Sequence, residues 1–379
     1  MSNEKSTVII VGAGPAGLAT AAQLSLAGIP YLILERSGQV AHSWHEHYDR
    51  LHLHTTNKLS HLAPLPFPED YPLYVSKDQL VAYFEKYRAK FEINPIFHAE
   101  AKRIYRPEQN WIVETTTGVQ YEAPHLVVAT GVNHSPYVPK FPGADQFKGG
   151  ISHSKTYRNA QAYIGKHVLV VGMGNTGAEI ALDLAEAGAA STSIAVRDSV
   201  NIVPRDFLGN PTQITALRLA KLPNWLGDWI GIQVRRFTMG DLRKFGLKFP
   251  KIAPMAQLRA TGKTPVVDLG TADMIRQGKI KIKATGIKEI QEQEVLFEDG
   301  SQQAYDHIIL ATGYRANLLD TIDNCASMLD EHHWPRFVIG SGSEAGLYFI
   351  GYDNYTPGGI LGVINRDALR ITTHISGQL

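Results

Sequence analysis

Apolar residues along the chain fall into two kinds of run. Short continuous ones, Val8-Ile9-Ile10-Val11, Tyr31 to Leu34, Leu126-Val127-Val128, Val168-Leu169-Val170-Val171, Ser193 to Val196, Ile308-Ile309-Leu310 and Leu347-Tyr348-Phe349-Ile350, lack polar alternation. They read as strands covered on both faces, as in a parallel sheet. Longer runs, Ala16 to Leu26 and Ala178 to Ala187, space their apolar residues helically, and Gly28 and Gly188 end them. Each helix stands between two of the short runs, so strand, glycine turn, helix and strand occur twice. Two βαβ units are implied.

The duplication extends further. Tyr121 with His125-Leu126-Val127-Val128-Ala129-Thr130-Gly131 matches Tyr305 with His307-Ile308-Ile309-Leu310-Ala311-Thr312-Gly313. Before each Ala-Thr-Gly run lie short strand-like segments and turns, Trp111 to Thr117 with Gly118, and Glu294 to Glu298 with Asp299-Gly300. The expected fold is α/β: two Rossmann-like dinucleotide-binding domains, three-layered, each a parallel sheet with a β-meander. The run Leu347 to Ile350 before Pro357-Gly358-Gly359 returns the chain to its first domain, which is therefore discontinuous. The boundaries read 1–158 and 313–379 for the first domain and 159–312 for the second, with a helical insertion at about 205–255.

That insertion has its own composition. Between Arg205 and Lys251 stand 9 Lys or Arg against 3 Asp, together with Trp225 and Trp229. The main reading is a helical lid or subunit contact over a substrate cleft; the alternative is a segment that lies on a membrane surface. Elsewhere charge is balanced. A formal net charge of +1 gives no field to steer a polyanion, so nucleic acid is not an expected partner. No apolar run reaches the ~18 residues of a transmembrane span, and the first one runs into glycines and not into a cleavage site. The expectation is a cytoplasmic chain, and a homodimer is compatible with it. The single cysteine, Cys325, excludes an internal disulfide, a thiol pair that shuttles electrons and a cysteine-rich metal site.

The turns carry the chemistry. Gly12-Ala13-Gly14-Pro15-Ala16-Gly17 and Gly172-Met173-Gly174-Asn175-Thr176-Gly177 both follow a strand and open a helix. In that context the first glycine permits the tight turn, the second lets the backbone approach a pyrophosphate, and the third lets helix and strand pack closely. Glu35 ends the strand after the first turn, where a carboxylate can accept from both ribose hydroxyls of an adenosine, as in FAD or NAD. Arg197 stands at the matching place in the second unit and suits the 2′-phosphate of NADPH. An FAD-like and an NADPH-like site in one chain imply hydride transfer from nicotinamide to flavin. With one cysteine, electrons cannot continue to a disulfide, which leaves dioxygen or an organic acceptor. Six histidines, His42, His45, His47, His52, His54 and His61, crowd one short stretch without a metal-ligand pattern, so no metal is expected.

Phe147-Lys148-Gly149-Gly150-Ile151-Ser152-His153-Ser154-Lys155-Thr156-Tyr157 fits the FxGxxxHxxxY signature and resembles the class B flavin monooxygenases, where this motif also precedes the second fingerprint. Its terminal tyrosine resembles the heteroatom-oxidising or YUCCA-type branch, and Arg50-Leu51-His52-Leu53-His54, Pro66 to Pro72, Val203 to Gly209 and Gly262 to Thr271 are similar to the YUCCA-type enzymes. Thr56-Asn57-Lys58 instead resembles the heteroatom-oxidising branch. The resemblance implies FAD and NADPH as cofactors. NADPH would reduce FAD, dioxygen would add at flavin C4a, and one oxygen atom would pass to a small amine, sulfide or 2-oxo acid. The alternatives are an NADPH reductase or oxidase of a quinone or metal ion, and a non-catalytic flavin-bound regulator. The resemblance also implies Asn57 and Asn133 as catalytic residues and Ser43 and Trp44 as flavin contacts. Arg36, Ala101, Thr130 and Gly131 join the first turn as cofactor-binding candidates, and Arg205, Thr312 and Gly313 join the second.

Overall fold

A computed structural model describes residues 3–379, which divide into two compact units. One contains the chain up to His45 with Thr55–Ser135 and Tyr314–Leu379; the other contains Glu46–His54 and Pro136–Gly313. The segments 46–54 and 136–158, which the sequence groups with the first domain, thus lie in the second unit. Strand pairing is the reason for the latter: Gly150–His153 bonds in parallel register to His307–Leu310, so it closes the second unit's sheet.

In the first unit a four-stranded parallel sheet has the order Leu347–Phe349, His125–Val128, Val8–Val11, Tyr31–Leu34. The strands Val8–Val11 and His125–Val128 are buried at every position, as their unbroken apolar runs require. Helices Pro15–Leu26 and Ile360–Ser376 pack on each other. A meander of Ala101–Tyr105, Trp111–Thr115 and Gln120–Ala123, with Asn3–Lys5 added in parallel, forms a separate sheet. Between the two sheets Ile9, Val11, Leu126 and Val128 meet Trp111, Val113 and Tyr121, each such buried side chain contributing about 1.5–3 kcal/mol.

The second unit repeats the plan with five parallel strands, ordered Ile280–Lys283, Ser191–Ala195, His167–Val171, His307–Leu310, Gly150–His153. Side chains alternate across this sheet. Val168 and Val170 join the core under helix Asn175–Ala187, whereas Leu169 faces the meander residues Val295 and Phe297. The insertion is helical, with Thr212–Leu219, Asn224–Met239 and Pro254–Thr261. No helix among the described residues is long and apolar enough to cross a membrane.

His125, His153 and His307 all have imidazole pKa values pushed down, chiefly because burial disfavours the charged ring. Native histidines of this kind stay neutral where unfolded ones take up protons. Stability should therefore be complete above the ordinary histidine pKa of about 6.5 and fall as pH drops below it. Melting temperature against pH in the range below that value checks this; a flat profile contradicts it.

Candidate functional site

The two glycine turns are alike in atomic detail. Gly12 N–H donates to Leu34 O at 2.8 Å and Gly172 N–H to Ala195 O at 2.9 Å, each turn thereby fixed to the next strand. Gly12 and Gly172 both have φ +104°, and a Cβ there would stand 2.6 and 2.5 Å from the carbonyl oxygens of Ala129 and Ala311. A Cβ at Gly17 would lie 1.9 Å from Gly12 O, and one at Gly177 2.1 Å from Gly172 O. Around Gly14 and Gly174, by contrast, there is nothing within 4 Å. These two glycines are the N-caps of the following helices, and neither helix has a side-chain cap. Orphan N–H groups at an uncapped helix start beside open space suit a phosphate, so both turns fit the pyrophosphate of a dinucleotide.

Around the first turn, the Glu35 carboxylate is buried and organised. Oε2 accepts from Ala13 N–H at 2.8 Å, and Oε1 accepts from Ser37 N–H and Oγ–H at 2.9 and 2.8 Å. The Ser37 hydroxyl is equally close to Gln39 O at 2.8 Å, so its one proton is shared between the two acceptors. Pro15, at the first helical position, has no N–H to leave unpaired. Ala16 is buried against Gly351. Arg36 Nη1 lies 2.9 Å from His134 Nε2. Ala101 begins a meander strand close to the Glu35 strand end, where Ala99 N–H donates to Glu35 O at 2.9 Å.

Other parts of the same unit converge here. Ala41 takes φ +51° and donates its N–H to Ala13 O at 2.9 Å, a left-handed residue held by the glycine turn. The short helix His42–His45 follows, with Ser43 exposed and the Trp44 ring 6.1 Å from Phe84. Thr130 and Tyr352 share a hydrogen bond of 2.6 Å between hydroxyls, with Gly131 next in a positive-φ turn. Asp353 accepts from the N–H groups of Tyr355 and Thr356, and Tyr355 OH donates to Asp330 at 2.7 Å, which fixes the loop leading to Gly359. A Cβ at Gly359 would come 2.7 Å from Thr55 Cγ2, so the turn at 55–60 is seated on the start of helix Ile360–Ser376. Asn57 opens that turn. Its amide nitrogen donates to Pro72 O at 3.2 Å, while its Oδ1 is buried without a donor among the described residues. Asn133 is exposed in the loop after Gly131.

At the second turn, Arg197 is exposed, and no ion pair joins it to Asp198 or to another acid among the described residues. Arg205 Nε bonds Asp206 at 3.0 Å, which shares its charge. The Asn175 side chain accepts from Val267 N–H at 2.7 Å, so it braces a neighbouring strand and leaves the ligand side to backbone. Thr176 lies in the open first turn of the helix. Thr312 Oγ1–H donates to Tyr137 O at 2.5 Å, and Gly313 O accepts from Tyr137 N–H at 2.9 Å.

The FxGxxxHxxxY segment supports this second turn. A Cβ at Gly149 would lie 2.6 Å from Asp306 O. His153 takes a hydrogen bond from Lys155 N–H on Nδ1 at 3.1 Å and faces Gly313 O through Nε2 at 3.1 Å. Tyr157 OH donates to Asp183 at 2.6 Å on the helix that opens at the second turn. Further along the same helix face, His54 Nε2 lies 2.6 Å from Glu179, and Arg50 pairs with Asp183 and Glu186. Histidines 52 and 54 therefore have structural partners, Arg50 O and Glu179. Among the described residues no group of three or more potential metal ligands occurs.

Comparison with known proteins places the chain. The family described as pyridine nucleotide-disulphide oxidoreductase matches residues 9–208. Indole-3-pyruvate monooxygenase YUCCA1 of Oryza sativa subsp. japonica is 40% identical over 376 residues, 98% of this chain and 91% of that protein. Indole-3-pyruvate monooxygenase YUCCA6 of Arabidopsis thaliana is 40% identical over 379 residues, 97% of this chain and 89% of its own. Among solved structures, a flavin-containing monooxygenase from Stenotrophomonas maltophilia superposes with a TM-score of 0.75 at 17% identity, covering 99% of both chains.

Proposed function

The chain belongs to the YUCCA-type flavin-dependent monooxygenases, and from that premise we propose that its substrate is an aryl 2-oxo acid of the indole-3-pyruvate kind. It is an NADPH-dependent, FAD-containing monooxygenase. Identity of 40% over nearly the whole of relatives named for indole-3-pyruvate carries the choice of substrate. The reaction consumes the 2-oxo acid, dioxygen, NADPH and a proton, and yields the carboxylic acid one carbon shorter, carbon dioxide, water and NADP⁺.

Bound FAD supplies the hydride acceptor and the centre at which dioxygen is activated. The uncapped helix start at Gly14 binds its pyrophosphate, and Glu35 orients its ribose. Gly174 and Arg197 do the same for NADPH, Arg197 through the 2′-phosphate. Asn57 offers Oδ1 as a fixed acceptor for an O–H or N–H at the reacting face. Its buried, undonated oxygen supports that role, because a polar atom left unpaired in the interior is costly unless a ligand completes it.

Product analysis tests the substrate: indole-3-pyruvate should be converted with NADPH, while a tertiary amine and a sulfide should not. Oxidation of the amine or sulfide alone would assign the chain to heteroatom oxidation, the outcome that Asn57 suggests by sequence. Arg197→Ala should raise KM for NADPH about 10- to 100-fold, the scale of a lost charge-assisted hydrogen bond, and leave KM for NADH unchanged. Equal losses with both reductants would remove Arg197 from the phosphate site.

A further inference from the structure

Three features outside the nucleotide turns stand out. One is the pair Ser152 and His307, 2.9 Å apart at a sheet edge, which has no acid orienting the imidazole among the described residues. Another is the buried Tyr348 hydroxyl between His125 and His374, each at 3.1 Å, which links two elements of one core. The third, the outer face of the helical insertion, has the character of a binding surface.

Helix Asn224–Met239 turns Trp225, Trp229, Ile232 and Arg236 onto one line at positions i, i+4, i+7 and i+11. Trp225 is 72% exposed and Trp229 58%, and Phe237, about 100° round the helix from Arg236, is 82% exposed. Aromatic side chains of this size normally lie inside or at an interface, and a cluster of them in water marks a binding surface. Away from this row the helix is buried at Gly227 and Arg235, and the row itself goes under only at its C-terminal end, at Met239. The turn that leads into Trp225 adds exposed Lys221 and Leu222, and the preceding helix adds exposed Arg218.

Charge identifies the occupant. All three aspartates of the insertion are engaged: Asp206 with Arg205, Asp228 with Arg259 and Asp241 with Arg243. Arg218, Lys221 and Arg236 have no carboxylate partner among the described residues. A second copy brought against this face would set cations against cations without acids between them, which is costly. An anionic phospholipid surface answers both the apolar row and the surplus cations. The helix has 16 residues, about 24 Å, too short for the ~30 Å hydrocarbon layer, so it lies in the plane of the surface.

We propose that the aromatic and cationic face formed by Trp225, Trp229, Phe237, Arg218, Lys221 and Arg236 docks this enzyme reversibly on anionic phospholipid membranes. The holoenzyme should sediment with vesicles of mixed phosphatidylcholine and phosphatidylglycerol and remain in solution with phosphatidylcholine alone. Brominated phosphatidylcholine in the mixed vesicles should quench its tryptophan emission, a test that needs no substitution. Replacing the three cations by glutamine should weaken binding about a hundredfold, each counting for roughly a factor of five near a charged surface. Trp225→Ser with Trp229→Ser and Phe237→Ser should abolish it. Both variants should keep bound flavin and NADPH oxidation, which report their folding. Three results would overturn the proposal: no partition onto the mixed vesicles, equal partition onto both kinds, or a vesicle-indifferent dimer that the aromatic substitutions dissociate.

Discussion

Gly17→Ala should emerge from purification colourless, whereas Gly177→Ala should remain yellow and fail to bleach when NADPH is added under argon. The two glycines occupy equivalent places, and an added Cβ would stand 1.9 and 2.1 Å from the carbonyl oxygens of Gly12 and Gly172. Those atoms are backbone and cannot rotate aside, so the turn itself must open. Overpacking costs of about 1–3 kcal/mol correspond to as much as a hundredfold or so in ligand affinity, and displaced N–H groups add to the loss. The effect should remain confined to the unit that bears the substitution, since each turn is fixed to its own strand through Leu34 O or Ala195 O. Visible absorbance for flavin and its anaerobic reduction separate the two outcomes, with circular dichroism to confirm folding. A Gly17→Ala protein that keeps stoichiometric FAD would dissociate the first turn from flavin binding.

Asn57→Leu should separate NADPH consumption from oxygen transfer. Leucine preserves the volume and removes both the amide donor to Pro72 O and the buried acceptor Oδ1. Neither atom belongs to the glycine turns, so flavin content and anaerobic bleaching should match those of the unaltered enzyme. Loss of one hydrogen bond to a developing charge is worth about 1.5–3 kcal/mol, so oxygenated product per NADPH should fall at least about tenfold, with hydrogen peroxide taking its place. Parallel assays of NADPH, peroxide and product measure this. Unchanged coupling would assign Asn57 to the structure of its turn alone.

What was legible in the sequence is what local pattern determines. Both βαβ units, the paired Ala-Thr-Gly strand ends and the returning strand Leu347–Phe349 follow from apolar runs and glycine spacing. The strand Gly150–His153 was not, because glycine, serine and an exposed Ile151 give no strand signal; its pairing with His307–Leu310 creates it. The placement of residues 46–54 depends on partners more than a hundred positions away, Arg50 with Asp183 and His54 with Glu179. Ala41 is left-handed although it is not glycine, because the Ala13 carbonyl holds it. Asn175 reads by sequence as part of the second fingerprint and Asn57 as a catalytic candidate, and neither reading gives the side chain's partners. In the structure Asn175 braces Val267, and Asn57 has a buried oxygen without a donor among the described residues. In the insertion, helical periodicity marks an apolar stripe without saying whether it faces the core or water, and Trp225 and Trp229 face outward.

On the proposed assignment the first turn holds the flavin and the second its reductant, and both serve a single oxygen insertion. Incubation with oxygen-18 gas, NADPH and indole-3-pyruvate, followed by mass spectrometry of the acid and assay of NADPH, tests this most directly. One labelled oxygen in the carboxylate of the shortened acid, with one NADPH oxidised per molecule formed, is the expected result. NADPH oxidation that yields only hydrogen peroxide, with no labelled acid, would contradict it.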